Sequence, residues 1–188
     1  MLVFYHNATG GHLFSNESEA IHTDSFQKYS VLDKINTDFL INGKYEFLLE
    51  YPGINGYNRW RQSLNPLHDI EQNGCQAKGY EPIQVQWTVK SFGGLVRSSQ
   101  VANNLIDGSA GVLDHWWYSI GNYVGNSWSY ANCPPNGGCF GGPGEKAYIQ
   151  HLWIRINEKS TNICYTFPFQ TSTNIKYFLM SLLFILLQ

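Results

Sequence analysis

The side chains best suited to chemistry lie between residues 93 and 121, and their types favour holding a ligand over transforming it. Asp107 precedes a glycine, an arrangement that exposes a carboxylate to Ca²⁺ or to sugar hydroxyls, although an aspartate that caps its own turn is commoner. Arg97 and His115 offer hydrogen-bond donors and Trp116 offers a ring for stacking, although each also fits a purely structural role. We predict these four residues as ligand contacts, Asp107 as the one metal ligand, and Ca²⁺ as the only cofactor to consider.

A catalytic set is hard to assemble from this chain. Glycoside hydrolysis needs two carboxyl groups about 5–9.5 Å apart, whereas Glu46 and Glu50 share a strand face and lie ~13 Å apart at about 3.3 Å per residue. A pairing of either with Asp107 or Asp114 depends on the three-dimensional fold. The chain has no Gly-x-Ser-x-Gly elbow, no His-Glu-x-x-His and no phosphate loop. We therefore predict that the protein is not an enzyme, and keep a carbohydrate-active hydrolase as the third candidate.

The chain has four cysteines, which permit disulfides but do not determine which cysteines pair. Cys133 and Cys139 flank Pro-Pro-Asn-Gly-Gly, which lets the chain double back and favours a disulfide that closes a rigid recognition loop. Two free thiols in a flexible loop are the alternative. A zinc site is poorly supported, because five residues separate the pair and no second Cys/His pair has ligand spacing.

Composition narrows the class of partner. A chain of 188 residues suits one domain, and 15% aromatic with 14% charged residues is typical of a folded protein. Lys and Arg total 12 against 14 Asp and Glu, a net charge of -2, so the phosphate neutralisation that drives nucleic-acid binding has no evident source. We expect a glycan or a surface protein as partner, and no nucleic acid.

The elements that must position these side chains are mostly strands. Residues 83–89 and 148–156 alternate apolar and polar side chains, the latter with His151, Trp153 and Arg155 outward, and a third strand is predicted at 44–51. Apolar residues recur about every third position at 24–35, which predicts one short helix. The predicted core comprises Phe47, Leu49, Ile83, Val85, Trp87, Ile106, Trp117, Ile120, Leu152, Ile154 and Ile156.

Four short motifs resemble the discoidin (coagulation factor 5/8 type C) and fucolectin pattern. They are Gly-Leu-Val-Arg-Ser-Ser at 94–99, Asn-Leu-Ile-Asp-Gly at 104–108, Trp-Trp-Tyr-Ser-Ile-Gly at 116–121 and Leu-Trp-Ile-Arg-Ile at 152–156. The resemblance covers residues 93–156 and implies a galactose-binding-like jelly roll that binds glycans or surfaces. It transfers no sugar site, because Ser119 replaces the family's acidic residue and the fucolectin basic residues and histidine have no counterparts. A laminin-G or concanavalin-like jelly roll would accommodate the strands equally.

We predict one domain at 1–156, an all-β, jelly-roll-like β-sandwich with one short helix, and a non-domain tail at 157–188. The apolar run at 177–188 is shorter than the about 20 residues that span a bilayer. It is either the hydrophobic end of a lipid-anchor signal, the one case in which a membrane is a partner, or an extension or buried helix. Residues 1–6 form a strand-like apolar run with no basic region or long apolar region before it, so we expect an intracellular chain, an incomplete start or unconventional export. The cysteine loop nevertheless favours an extracellular or cell-surface location, and a cytoplasmic one stays open.

The leading function is a non-enzymatic binding or adhesion module that recognises glycan or cell-surface ligands through loops at the rim of the sandwich. The second candidate is a structural or protein-interaction domain without a small-molecule ligand, in which the rim residues are merely solvated. The first depends on the segment at 93–121 being exposed.

Overall fold

The computed structural model of the chain describes residues 1–7, 14–52, 56–69, 76–87, 91–97, 105–109, 118–123 and 149–156. The chain divides into two units, Met1–Glu158 and Lys159–Gln188, and every described residue belongs to the first. The predicted tail at 157–188 lies outside the described residues, so the domain boundary stays a prediction.

Strands account for most of the described elements. In chain order they are β1 (Leu2–Asn7), β2 (His22–Asp24), β3 (Lys28–Val31), β4 (Tyr45–Glu50), β5 (Tyr57–Gln62), β6 (Glu81–Val85), β7 (Phe92–Arg97), β8 (Ile106–Ser109) and β9 (Ile149–Ile154). The helical elements are α1 (Glu17–Ile21) and the short 3₁₀ helices Leu32–Lys34 and Thr37–Phe39. The predicted all-β class is confirmed.

Seven strands form one antiparallel sheet in the order β2-β3-β1-β9-β4-β5-β6. β9, the last described strand, is hydrogen-bonded to β1 on one side and to β4 on the other. β7 and β8 form a second, two-stranded antiparallel sheet. The described sheets are therefore unequal, and the jelly-roll assignment stays a prediction.

The small sheet packs against one face of the large sheet, which we call the inner face. Trp60 of β5 is fully buried there, stacks on Phe47 with ring centroids 5.5 Å apart, and meets the ring of Phe92 of β7 at 4.9 Å. Phe92 also contacts Tyr118 at 4.8 Å. Aromatic pairs of this kind contribute about 0.5–1.5 kcal/mol each beyond the area that they bury. This series of rings joins two layers into a β-sandwich-like core, as predicted.

The predicted core is largely confirmed. The residues that are at most 5% exposed are Phe47, Leu49, Trp87, Ile106, Ile120, Leu152 and Ile154. Val85 and Ile156 are half-buried, and Trp117 lies outside the described residues. The assignment of Ile83 was wrong, because β6 is the outermost described strand on its side of the sheet and leaves this side chain 39% exposed. An edge strand borders the core on one side only, so alternation alone overstated its burial.

The prediction of a helix at 24–35 was wrong, because β2 and β3 form a hairpin there. In its turn Ser25 Oγ donates to the carbonyl oxygen of Lys28 at 2.9 Å and accepts from the backbone N–H of Lys28 at 3.2 Å. Phe26 lies exposed at the turn, whereas Leu32 is buried beyond the hairpin. β3 also pairs with β1, and this long-range pairing outweighs the weak helical preference of a short segment.

The one described α-helix lies earlier, at α1. Asn16 caps it, with Oδ1 accepting from the backbone N–H of Glu19 at 2.9 Å. Burial raises the pKa of Glu19, but hydrogen bonds from Lys28 Nζ at 2.7 Å and the Ser15 N–H at 2.5 Å outweigh it and lower the pKa to about 2. Within the described stretches no helix has the length and apolarity needed to cross a membrane.

A buried amide side chain connects the two sheets. Gln62, at the end of β5, has no exposed surface. Its Oε1 accepts from the Leu95 N–H of β7 at 2.9 Å and from Trp60 Nε1 at 2.8 Å. Its Nε2 donates to the carbonyl oxygens of Leu95 at 2.9 Å and Leu64 at 2.8 Å. The side chain thereby pairs with the backbone of β7 as a neighbouring strand would.

A second buried amide on β5 acts in the same way. Asn58 Oδ1 accepts from the backbone N–H groups of Trp87 at 2.9 Å and Gln86 at 3.1 Å, and its Nδ2 donates to the Trp87 carbonyl oxygen at 3.1 Å. The chain that leaves β6 is thus drawn onto the inner face, where Trp87 packs against Tyr51 with centroids 5.0 Å apart.

We expect Gln62→Leu to lower the free energy of unfolding by about 3 kcal/mol, because it leaves the buried N–H and C=O of Leu95 without partners. Urea unfolding of the full chain, followed by tryptophan fluorescence, measures this. Gln84→Leu on the exposed side of β6 is the matched control and should change the value by no more than about 0.5 kcal/mol. Equal effects of the two substitutions would contradict the role of Gln62.

Candidate ligand-binding face

Two of the predicted rim residues are described, and they lie on different sides of the small sheet. Arg97 ends β7, and its guanidinium forms an ion pair with Glu17 of α1. Val96 is the residue opposite Asp107 in the β7–β8 register, so Arg97 and Asp107 point to opposite faces. The structure therefore does not bring these two together. The predicted contacts His115 and Trp116 and the predicted disulfide between Cys133 and Cys139 lie outside the described residues.

Asp107 is inside the protein. It is 1% exposed, and its Oδ1 accepts from the backbone N–H of Gly108 at 2.6 Å. Burial raises the pKa of Tyr51 and Tyr118, and the nearby charge of Asp107 raises both further. The expectation of an exposed rim position was wrong because the Asp-Gly pair lies within β8 and forms no turn. The two strands pack so closely that a Cβ on Gly108 would stand 2.8 Å from the Phe92 ring.

The metal and ligand roles of Asp107 stay predictions. Among the described residues no group of three or more His, Cys, Asp or Glu side chains is arranged to hold a metal ion. A buried carboxylate inside a sheet is also poorly placed to meet a large ligand directly.

We expect Asp107→Ala to lower the melting temperature by roughly 3–10 °C, because losing buried polar contacts costs about 1–3 kcal/mol and each kcal/mol is worth about 2–4 °C in a domain of this size. Affinity for any glycan bound by the wild-type protein should change less than about twofold. Thermal unfolding and glycan titration of the same preparation measure both. Lost binding at an unchanged melting temperature would restore the predicted ligand role.

The opposite face of the large sheet carries a different set of side chains, and we call it the outer face. Residues directly opposite each other in an antiparallel pair share a face, so the register of β1, β9, β4, β5 and β6 defines its members. They are Leu2, Tyr5, Asn7, Glu46, Leu48, Glu50, Tyr57, Arg59, Arg61, Glu81, Gln84, Ile149, His151, Trp153 and Arg155. All except Glu46 are half-buried or exposed.

Glu50 orients the aromatic side chains at one end of the outer face. Its Oε1 lies 2.8 Å from His151 Nδ1 and accepts from Trp153 Nε1 at 2.9 Å. The ring of Tyr5 packs on His151 with centroids 5.3 Å apart, and His151 meets Trp153 edge-on at 5.9 Å. The contact with His151 lowers the pKa of Glu50, and the Trp153 bond lowers it further against the effect of burial. One ionised carboxylate thus holds two rings in fixed orientations.

An arginine cluster occupies the other end, around a carboxylate that is 3% exposed. Glu46 accepts from Nε of Arg59 and from Nε of Arg61, each at 3.0 Å, and Arg155 Nη1 lies 3.4 Å from its Oε2. Burial raises the pKa of Glu46, but the hydrogen bonds and charges of the arginines outweigh it and lower the pKa. Three of the four arginines in the chain meet at this carboxylate.

The two glutamates of β4 are poorly arranged for glycoside hydrolysis. Both occupy the outer face four residues apart, which places them ~13 Å from each other along the strand. A glycosidase acid keeps its proton through a raised pKa, whereas the pKa values of Glu46 and Glu50 are both lowered. Asp107 is in the interior and does not complete a pair, and Asp114 lies outside the described residues.

Comparison with known proteins adds no assignment. No family model, no curated protein and no solved structure matches this chain. The likeness to discoidin and fucolectin domains therefore rests on the short motifs alone. The outer face was only partly anticipated. Alternation at 148–156 predicted that His151, Trp153 and Arg155 point outward, but their partners on β1 and β4 are set by register, which the sequence does not reveal.

The arginine cluster makes stability depend on pH. Because the pKa of Glu46 is lowered from its ordinary value of 4.5, its contribution is fully present above that pH and is lost as pH falls through the lowered value. We expect Glu46→Gln to reduce the free energy of unfolding at pH 7 by about 1–2 kcal/mol, since it removes the charged acceptor of Arg59 and Arg61 but leaves arginines that solvent partly screens. The difference from wild type should shrink at pH 3. Urea unfolding at both pH values measures this.

Asp38→Asn, which removes an exposed carboxylate, is the control and should change stability little at either pH. A Glu46→Gln deficit that is the same at pH 7 and pH 3 would indicate lost packing and contradict the electrostatic account.

Proposed function

We propose that this chain is a non-enzymatic binding or adhesion module that recognises a glycan or a cell-surface ligand. The observation that carries the proposal is the set of rings on the outer face: Glu50 holds His151 and Trp153, and Tyr5 packs on His151. Rings fixed before binding lose little conformational freedom when a ligand stacks on them, which favours affinity. Glu50 and the arginine cluster add acceptors and donors for polar groups of the ligand.

The outer face supports this function better than the rim does, because residues 93–96, 105–108 and 118–121 of the predicted rim segment are buried. Asp107 is interior and Arg97 is paired with Glu17, whereas the side chains of the outer face other than Glu46 are half-buried or exposed and lie on paired strands. Sites built on strands hold their side chains more precisely than sites on loops. We therefore place the binding site on the outer face, and keep the loop at Cys133 and Cys139 as a candidate second contact.

The proposed binding function also bears on catalysis, on location and on the fold of the complete domain. The lowered pKa values of Glu46 and Glu50 support binding over hydrolysis. An extracellular or cell-surface location suits a glycan-binding module with a disulfide-closed loop. A jelly roll related to discoidin domains is the fold that we propose for the complete sandwich.

A protein-interaction domain is the second candidate, and the composition of the outer face favours it too. Tyrosine, tryptophan and arginine are the residue types enriched in the energetic centres of protein interfaces. Tyr57, whose hydroxyl donates to Gln84 at 2.6 Å, extends this composition to the edge of the sheet. In this case the ligand would be a protein surface and no free glycan would bind.

A glycan array probed with the folded protein, with and without Ca²⁺, separates the two candidates. We expect wild-type binding, at least a tenfold loss in Trp153→Ala and substantial recovery in Trp153→Phe, which keeps a ring for stacking. Circular dichroism of each variant confirms that it is folded.

Arg97→Gln distinguishes the outer face from the rim, and its binding should match wild type. A loss in Arg97→Gln with normal binding by Trp153→Ala would return the site to the rim. No binding of any glycan by the wild-type protein in either condition would contradict the glycan assignment and favour the interaction domain.

A further inference from the structure

The arginine end of the outer face carries more positive than negative charge. Among the described residues, this end holds four cations and two carboxylates, which we call the arginine corner. They are Arg59, Arg61, Arg155, Glu46 and Glu81 of the outer face, and Lys44, which directly precedes β4 and pairs with Glu81. The whole chain has a net charge of -2. Two positive charges therefore remain unbalanced in one corner of a slightly acidic protein.

Arg155 carries most of the unbalanced positive charge. Arg59 and Arg61 each direct Nε at Glu46 from 3.0 Å, and Arg61 also reaches Glu81 at 3.3 Å. Arg155 approaches Glu46 through Nη1 alone, at 3.4 and 3.5 Å, and its side chain is 55% exposed. A guanidinium has five N–H donors in a planar fork that matches a carboxylate or sulfate group. Arg155 is thus the cation best placed to bind a second anion.

The arginine corner adjoins the aromatic end. Arg155 follows Trp153 by two residues, and Trp153 lies opposite Leu48, which lies opposite Arg59. A ligand on the outer face therefore meets a ring and a guanidinium side by side. Glu50, at the far end, carries a negative charge that accepts hydrogen bonds from hydroxyl groups and repels a second anion.

We propose that the outer face binds an acidic carbohydrate, with its carboxylate or sulfate group on Arg155 and a sugar ring against Trp153. This inference rests on the proposed binding function and names its ligand class. A sugar offers hydroxyl groups to Glu50 and an anion to Arg155 within one short molecule. A peptide with closely spaced carboxylates would set one of them against Glu50, so charge complementarity favours the carbohydrate.

Titration calorimetry with matched oligosaccharides tests the inference. The probes are oligogalacturonate, sulfated heparin fragments and an uncharged galactan of similar length. At 50 mM NaCl we expect one or both acidic probes to bind at least tenfold more tightly than galactan, with the preference reduced at 500 mM NaCl because salt screens exposed charges. Arg155→Gln should lower the affinity for the acidic probe about tenfold and the affinity for galactan much less, because a neutral hydroxyl group loses one hydrogen bond whereas an anion also loses its opposite charge.

Two further variants control for charge and geometry. Lys34→Gln removes one positive charge at a side chain 63% exposed and outside the outer face, and should retain the wild-type preference. Arg155→Lys keeps the charge but loses the planar fork, so its affinity should fall between wild type and Arg155→Gln. Equal losses in Lys34→Gln and Arg155→Gln would show a general charge effect and overturn the assignment of Arg155.

The outcomes separate this inference from the proposed function. Equal affinity for galactan and the acidic probes, unaffected by Arg155→Gln, overturns the acidic ligand and leaves a neutral-glycan module. Tight binding of poly-glutamate that is lost in Arg155→Gln overturns the carbohydrate in favour of an acidic protein partner. Failure of the wild-type protein to bind any of the three probes overturns the acidic carbohydrate ligand, whereas the glycan-binding function is contradicted only if the glycan array is also negative.

Discussion

The hydrogen bonds of Gln62 are the constraint on which the two-layer arrangement depends. One buried amide satisfies both backbone groups of Leu95 and the indole N–H of Trp60, and so fixes the small sheet against the centre of the large one. Asn58 does the same for Trp87 four residues earlier on the same strand. Because buried polar groups are costly when unpaired, these contacts admit one register of the surrounding backbone.

The side chains held on the inner face determine which side chains point to the outer face. Along β5 the inward residues are Asn58, Trp60 and Gln62, so Arg59 and Arg61 must point outward. The same alternation on β4 places Glu46 beside them. A slip of one residue between β4 and β5 would exchange the two faces and bury the arginines. The register between β4 and β5 therefore determines both which side chains form the core and which form the outer face.

Local alternation was enough to predict the strands at 44–51 and 148–156 and their inward side chains. It failed where a non-local contact decides the outcome. The apolar spacing at 24–35 has a helical period, yet β1 draws β3 into the sheet. Asp-Gly at 107–108 has the composition of a turn, yet β7 pairs with it inside the core. The roles of Asn58 and Gln62 have no local signal, because the sequence does not distinguish an Asn or Gln in a buried hydrogen-bond network from one that is exposed to solvent.

The outermost described strands of the large sheet affect how readily two copies of the protein can pair through their sheet edges. β2 has three residues, and β6 contains Pro82, which has no backbone N–H to offer, next to the charged Glu81. Short, charged or proline-bearing edges are poor templates for the strand of a neighbouring molecule. These two edges therefore resist edge-to-edge pairing between crowded copies, so contacts between copies on the large sheet would fall on its outer face.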